Sequence, residues 1–338
     1  MSNLTICGSN DYEIYWCNFV FVLNQNISRY GMGLIWLMGN VGSTINCFIF
    51  SQRKLRKNPC IMYLLASSAS QFMTFNFVLL TRILLNGFNI NAINIFLWFC
   101  KIRNYFFYLF VAVPRYYIIL ASIDRYFASC SNIYWRRWSS SKVAMRLIIG
   151  SFIFWSLMYS QILVFYEIQD GICSYRHGAY GIFFSIYLSI ESGTLPPLVM
   201  LIFGCLTLKN IRQSKRRTRP IAELNGVRPA EFIGMSGKDL QYSKMLFSQI
   251  LLWTILSIIN PSDLLYQTIT INETKSSFRT TVEVFINNMS YMFIHLEFSL
   301  TFFLYTFSSS FFRRQLKQLI QKKILHRLVS NAIVSHNI

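Results

Sequence analysis

Stretches of 18 to 24 residues without Asp, Glu, Lys or Arg recur along the chain, among them 30–52 and 58–81. A helix rises about 1.5 Å per residue, so roughly 20 apolar residues cross the hydrocarbon core of a bilayer. Charged residues make up only 13% of the 338 positions, against about 25% in soluble domains. The chain therefore reads as an all-α membrane protein. Seven spans are predicted at about 30–50, 60–85, 100–126, 143–166, 179–208, 245–269 and 281–305. They leave a short amino-terminal segment (1–29), a seven-helix domain (30–306) and a carboxyl-terminal portion (307–338). In the last of these, Phe311, Phe312, Leu316, Leu319, Ile320 and Leu325 interleave with cations. That spacing suits an amphipathic eighth helix lying on the membrane surface.

The formal net charge of +19 does not point to nucleic acid, whose binders gather their cations in a groove or on one helix face. Here 24 of the 32 Lys and Arg fall in alternate gaps between spans, and in the tail. Cations retained on the cytoplasmic side explain that pattern, placing the amino terminus outside and the carboxyl terminus inside. The sequons at Asn3, Asn26 and Asn272 fall on the opposite side from the cations and are the candidate N-glycosylation sites. A fourth, Asn288-Met289-Ser290, lies within span seven and should stay unmodified. No cleavable signal is evident in 1–28, which lacks a basic start and contains Asp11 and Glu13. The first span should serve as an uncleaved anchor.

Several polar residues sit at membrane depth, where each needs a partner. Asn40 calls for one on a neighbouring helix. Arg115 in span three has two acids within reach of that depth, Glu191 in span five and Glu297 in span seven, and an ion pair between helices is expected before a ligand contact. Pro196-Pro197 should kink span five. Cys47, Cys60, Cys130 and Cys205 read as buried thiols, whereas Cys7, Cys17, Cys100 and Cys173 fall on the outer side, where oxidation is permitted. No protease, hydrolase, P-loop or dinucleotide motif is present, the four histidines are scattered, and neither enzyme activity, cofactor nor metal is expected.

The stretch 100–126, CKIRNYFFYLFVAVPRYYIILASIDRY, opens on a cysteine and closes on Asp124-Arg125-Tyr126. It resembles the third transmembrane helix of rhodopsin-like (class A) G-protein-coupled receptors, and the run LVMLIFGCLTLKNIR and the eighth-helix pattern are similar to the same family. The closest likeness is to invertebrate peptide-receptor-like orphans. The resemblance implies a Cys100–Cys173 disulfide and a switch in which Asp124 restrains Arg125 at rest, with Asp239 as a candidate second acid. Tyr305, and with it Tyr126, would line the cavity that opens for a Gα subunit. It further implies a ligand cavity near Phe107, Trp253, Gln267 and His295.

Three family motifs are altered. Gln71 stands where the family carries an aspartate, Pro261 lies eight residues after Trp253 instead of two, and only Tyr305 remains of the motif that ends span seven. Phe107 replaces the acid of amine receptors and His295 the retinal-binding lysine of opsins, so neither ligand class is expected. The function implied is a plasma-membrane receptor that binds an extracellular ligand, a neuropeptide by preference, and activates a heterotrimeric G protein. For arrestin the tail after Arg327 offers only Ser330 and Ser335. The competing readings are a receptor-like decoy or scaffold that does not signal, and a polytopic transporter or channel, against which no inverted repeat is visible.

Overall fold

The helix starts follow from local chemistry. Asn58 precedes Pro59, and its Oδ1 accepts the backbone N–H of Cys60 at 3.0 Å. Pro59 takes a first-turn position, where a missing N–H is no loss. Ser140, Ser276 and Ser309 cap three further helices through their hydroxyls, at 3.4, 3.2 and 3.2 Å. Asn89 ends another at φ 56°, a left-handed conformation that asparagine tolerates.

The computed structural model describes residues 11–169, 171–176, 178–225, 237–256, 258–270 and 273–321, with side chains for all of these except 214–225 and 237–239. α1 is Asp11–Phe50, α2 Pro59–Phe88, α3 Leu97–Ser129 and α4 Ser141–Phe165. β1 (Tyr166–Gln169) and β2 (Ile172–Tyr175) then form an antiparallel hairpin with Ile168 opposite Cys173. α5 joins Ala179–Leu188 to Leu195–Asn225 through a π turn at Ser189–Thr194. α6 has two pieces, Gly237–Leu256 and Ile259–Ile269. α7 is Ser277–Ser308, and α8 covers 310–321.

The first six of these helices are long and apolar enough to cross a membrane. α7 has the length, at 32 residues, but its buried face carries Asn288, His295 and Glu297, which lowers its hydropathy. The chain is a multi-pass helical bundle. α3 lies at its centre, against α2, α4, α5 and α6, while contacts of α1 with α2 and α7, and of α6 with α7, close the ring. Leu34, Leu37 and Phe48 on α1 and Ile153, Phe154 and Leu157 on α4 are exposed; lipid, as apolar as they are, accounts for that placement.

Irregular backbone is repaired by side chains, as it must be where no water can do so. Pro114 inside α3 has no N–H, so the carbonyl of Phe110 loses its helical donor. Thr74, on a π turn of α2 (Thr74–Leu79), donates its hydroxyl to that carbonyl at 2.6 Å. Ser67 donates to the Pro114 carbonyl at 3.1 Å. Two helices are thereby locked together at the level of Arg115.

Close packing of α1 on α2 depends on glycine, most severely at Gly39. A Cβ built on Gly39 would lie 2.3 Å from the ring of Phe75, which is fully buried. Gly39→Ala should therefore destabilise the bundle by about 1–3 kcal/mol through overpacking. The check is the thermal unfolding midpoint of detergent-purified protein beside Gly33→Ala, whose Cβ would meet nothing within 4 Å. Equal midpoints for the two variants would refute the contact.

The structure departs from the sequence expectation in two places. α1 begins at Asp11 rather than near Tyr30, because its extra turns pack on α7, with Cys17 Sγ 3.2 Å from Thr281 Oγ1. The β1–β2 hairpin interrupts an otherwise helical chain. α5 continues to Asn225, well past the apolar run, as the expected helical extension of the long polar loop.

Candidate functional site

Asp124, Arg125 and Tyr126 occupy the last turn but one of α3. Arg125 is 3% exposed. Its Nε and Nη2 both donate to Asp124 Oδ2, the former at 3.1 Å, and Nη2 also reaches Asn58 Oδ1 at 3.3 Å. Ser139 holds the other carboxylate oxygen, donating to Oδ1 at 2.7 Å. The helix cap of α2 and the loop after α3 thus converge on one buried ion pair. A cavity beside it is walled by Ser122 and Arg125 of α3, Thr207 of α5, and Ser243, Leu246 and Phe247 of α6. Tyr126 meets Phe203 of α5 edge-on at 5.4 Å. The side chain of Asp239 lies outside the described residues.

Tyr305 is 1% exposed and donates its hydroxyl to Gln249 Oε1 at 2.6 Å. It packs edge-on against Phe50 and Phe312, with centroids 5.8 and 5.9 Å away. In this arrangement it does not wall the cavity beside Arg125; it ties α7 to α6 and seats α8. Gln249 was not singled out in the sequence, where it is one more amide in an apolar run.

Half-way along α3, Arg115 is 4% exposed. Two cavities meet at it: one toward the Cys100 end with Glu191, and one toward the Arg125 end with Gln249, Trp253 and Glu297. The expected ion pair is not formed. Among the described residues Arg115 makes no salt bridge, and its Nε and Nη2 have no hydrogen-bond partner, nor has Glu297 Oε2. The guanidinium lies instead over the rings of Trp253 and Phe298, at 5.4 and 5.7 Å from their centroids. The negative faces of these rings attract it. Glu191 sits on the π turn of α5, the kind of backbone insertion that re-aims a side chain at a functional position. A cation held by ring faces between two carboxylates is free to favour either one as the helices move.

At the Cys100 end a disulfide joins Cys100 to Cys173 of β2, and Cys17 is disulfide-bonded as well. Asn94 Oδ1 accepts the Cys173 N–H at 2.9 Å, and Asn104 Nδ2 lies 3.0 Å from Cys173 Sγ. Arg176, hydrogen-bonded across the hairpin to Glu167, holds that carboxyl below its usual range. Beneath the hairpin runs a narrow cavity lined by Phe107, Tyr108, Tyr159, Asn260 and Tyr291. Of the four residues assigned to the ligand cavity from sequence, Phe107 lines this space and Trp253 the deeper one. Gln267 instead donates to Asp263 Oδ2 at 3.0 Å, and His295 is fully buried with Nδ1 2.7 Å from the Tyr291 carbonyl.

The remaining polar positions are placed as follows. Asn40 accepts from Asn76 Nδ2 of α2 at 2.6 Å, the neighbouring-helix partner it calls for. Gln71 is buried, with Nε2 3.5 Å from Ser67 Oγ. Asn26 is exposed, but it stands in a helix and Ser28 of its sequon is buried, an unfavourable setting for a glycan acceptor. Asn3 and Asn272 lie outside the described residues. The family model for seven-transmembrane receptors (rhodopsin family) matches residues 39–335. No curated protein matches the chain.

Proposed function

The chain belongs to the rhodopsin family of seven-transmembrane receptors, and on that premise we propose that it binds an extracellular peptide and activates a heterotrimeric G protein. It would act in the plasma membrane, with the Cys100 end outside and the cation-rich Arg125 end in the cytoplasm. The observation that carries this reading is the closed clasp at Arg125, whose Asp124, Asn58 and Ser139 contacts come from three separate segments. A clasp of this kind has two states. Movement of α6 away from α3 widens the cavity beside Arg125 and makes room for a helix of the G protein.

Coupling between the ends runs along α3. A ligand entering beneath the hairpin meets Phe107 and Tyr291 and acts on the Arg115 environment, where Trp253 belongs to α6 and Glu297 to α7. The Tyr305–Gln249 bond then carries any shift between those two helices toward α8. Peptide is favoured over amine because Phe107 offers no charge for an ammonium, and over retinal because His295 offers no amine for a Schiff base.

The test is expression with a G-protein dissociation reporter against a peptide library. Peptide-evoked dissociation is the expected result. Peptide binding without dissociation would show a decoy, and evoked current without a G protein would show a channel; either outcome defeats the proposal.

A further inference from the structure

The Cys100 end holds a charged cluster that the Arg125 switch does not use. Arg103 of α3 is 6% exposed; its Nε donates to Thr81 Oγ1 and its Nη1 to Asn104 Oδ1, both at 3.2 Å. Arg82 of α2 is half-buried, and its Nε donates to Asn288 Oδ1 at 3.0 Å. The Arg82 guanidinium lies 3.9 Å from the centroid of the Tyr291 ring, and that of Arg103 lies 5.1 Å from the Phe107 ring. Those two rings are themselves 5.3 Å apart. Two cations therefore flank one aromatic pair, close enough to repel each other.

No carboxylate among the described residues is bonded to either arginine. Among the described residues neither arginine makes a salt bridge. Asp263 of α6 acts on Arg82 only through space, and its Oδ2 is occupied by Gln267 and Asn287, at 3.0 and 2.9 Å. Glu283 of α7 is bound to Lys275 and Arg279. Both guanidiniums keep nitrogens that donate to no described group. A charge removed from water without a counter-charge is costly, and a second charge of the same sign nearby adds to that cost. Phe107 and Tyr291 are also walls of the cavity that leads down to Arg115, so the pair stands at the entrance of the proposed ligand path.

The geometry points to an oxyanion-recognition site: Arg82 and Arg103 together receive a carboxylate or phosphate group of the agonist. The planar guanidinium matches either group with two parallel hydrogen bonds, and Tyr291 and Phe107 keep the two forks apart and oriented. The assignment rests on the receptor reading above and narrows it. A peptide agonist would present a free terminal carboxylate or an acidic side chain, and its amidated, acid-free counterpart would bind poorly.

Anion binding is read without any G protein, from the thermal unfolding midpoint of the purified full chain in succinate, in inorganic phosphate and in sodium chloride of matched ionic strength. Succinate or phosphate should raise the wild-type midpoint by several degrees over chloride, and the larger shift identifies the preferred oxyanion. The shift should vanish in Arg82→Gln/Arg103→Gln. If that variant does not fold, Arg82→Gln alone, at the half-buried position, should reduce the shift by half or more. No shift in the wild type, or equal shifts in wild type and variant, overturns the site. In the reporter assay, peptide pools made as free acids should act at concentrations at least tenfold below the same pools made as amides. Equal potency also overturns it. An arginine-dependent shift with no reporter response would keep the anion site and remove the signalling reading.

Discussion

Substituting Asp124 with asparagine is expected to raise ligand-independent G-protein activation about tenfold. The carboxylate accepts two charge-assisted bonds from Arg125 and one from Ser139. Hydrogen bonds to charged groups contribute about 1.5–3 kcal/mol, and about 1.4 kcal/mol is a factor of ten in an equilibrium. An amide keeps the shape but loses the charge and one of the two accepting oxygens, so the closed state alone is weakened. Arg125→Ala, and the double variant with Asp124→Asn, should instead fall to the background of cells lacking the receptor. The reporter needs no agonist for this comparison, provided surface expression is matched. A double variant as active as Asp124→Asn alone would show that Arg125 has no part in coupling.

The second large effect is on stability. The Cys100–Cys173 bond closes a separation of 73 residues, for which the chain-entropy account gives about 4 kcal/mol. That figure is an upper bound, because both ends of the loop belong to segments already ordered by insertion in the bilayer. Removing both thiols together, as Cys100→Ser/Cys173→Ser, avoids leaving a reactive partner. The expected result is a drop of many degrees in the unfolding midpoint and loss of peptide-evoked response, with Cys205→Ser, at an exposed free thiol, behaving as wild type. A double variant that unfolds with the wild type would mean that the hairpin is held by its hydrogen bonds to Asn94 and Asn104.

Much of this architecture could be read from the chain because bilayers impose a coarse rule. Uncharged runs of the right length have only one way to satisfy their backbone, so the helices and their order followed from spacing. The disulfide and the Arg125 pair came from a motif held at a fixed distance along one helix. Arg115 was visible as a charge in an apolar run, but its setting was not. Ring faces from Trp253 and Phe298, far apart in sequence, replaced the anticipated carboxylate contact. Gln249 and Asn288 are ordinary amides until the bundle shows which helices they join. The first nineteen residues of α1 read as an amino-terminal segment ahead of the first span, since nothing local shows that they pack on α7. The arginine pair at 82 and 103 was hidden by the topology rule, which counts cations and does not ask where two of them meet.

Asn288 illustrates what such a junction entails. Its carbonyl oxygen accepts from Arg82 and from Asn86, and its amide nitrogen donates to Asn24 and to Ser28. Every bonding position of this 1% exposed side chain is taken, yet it heads the sequence Asn288-Met289-Ser290, a substrate for oligosaccharyltransferase wherever it is extended and accessible. Sugar at that asparagine and a seated seventh helix exclude each other. An endoglycosidase-sensitive band mapping to it would count the fraction of chains that misassembled during biogenesis, giving the fold a built-in record of its own failures.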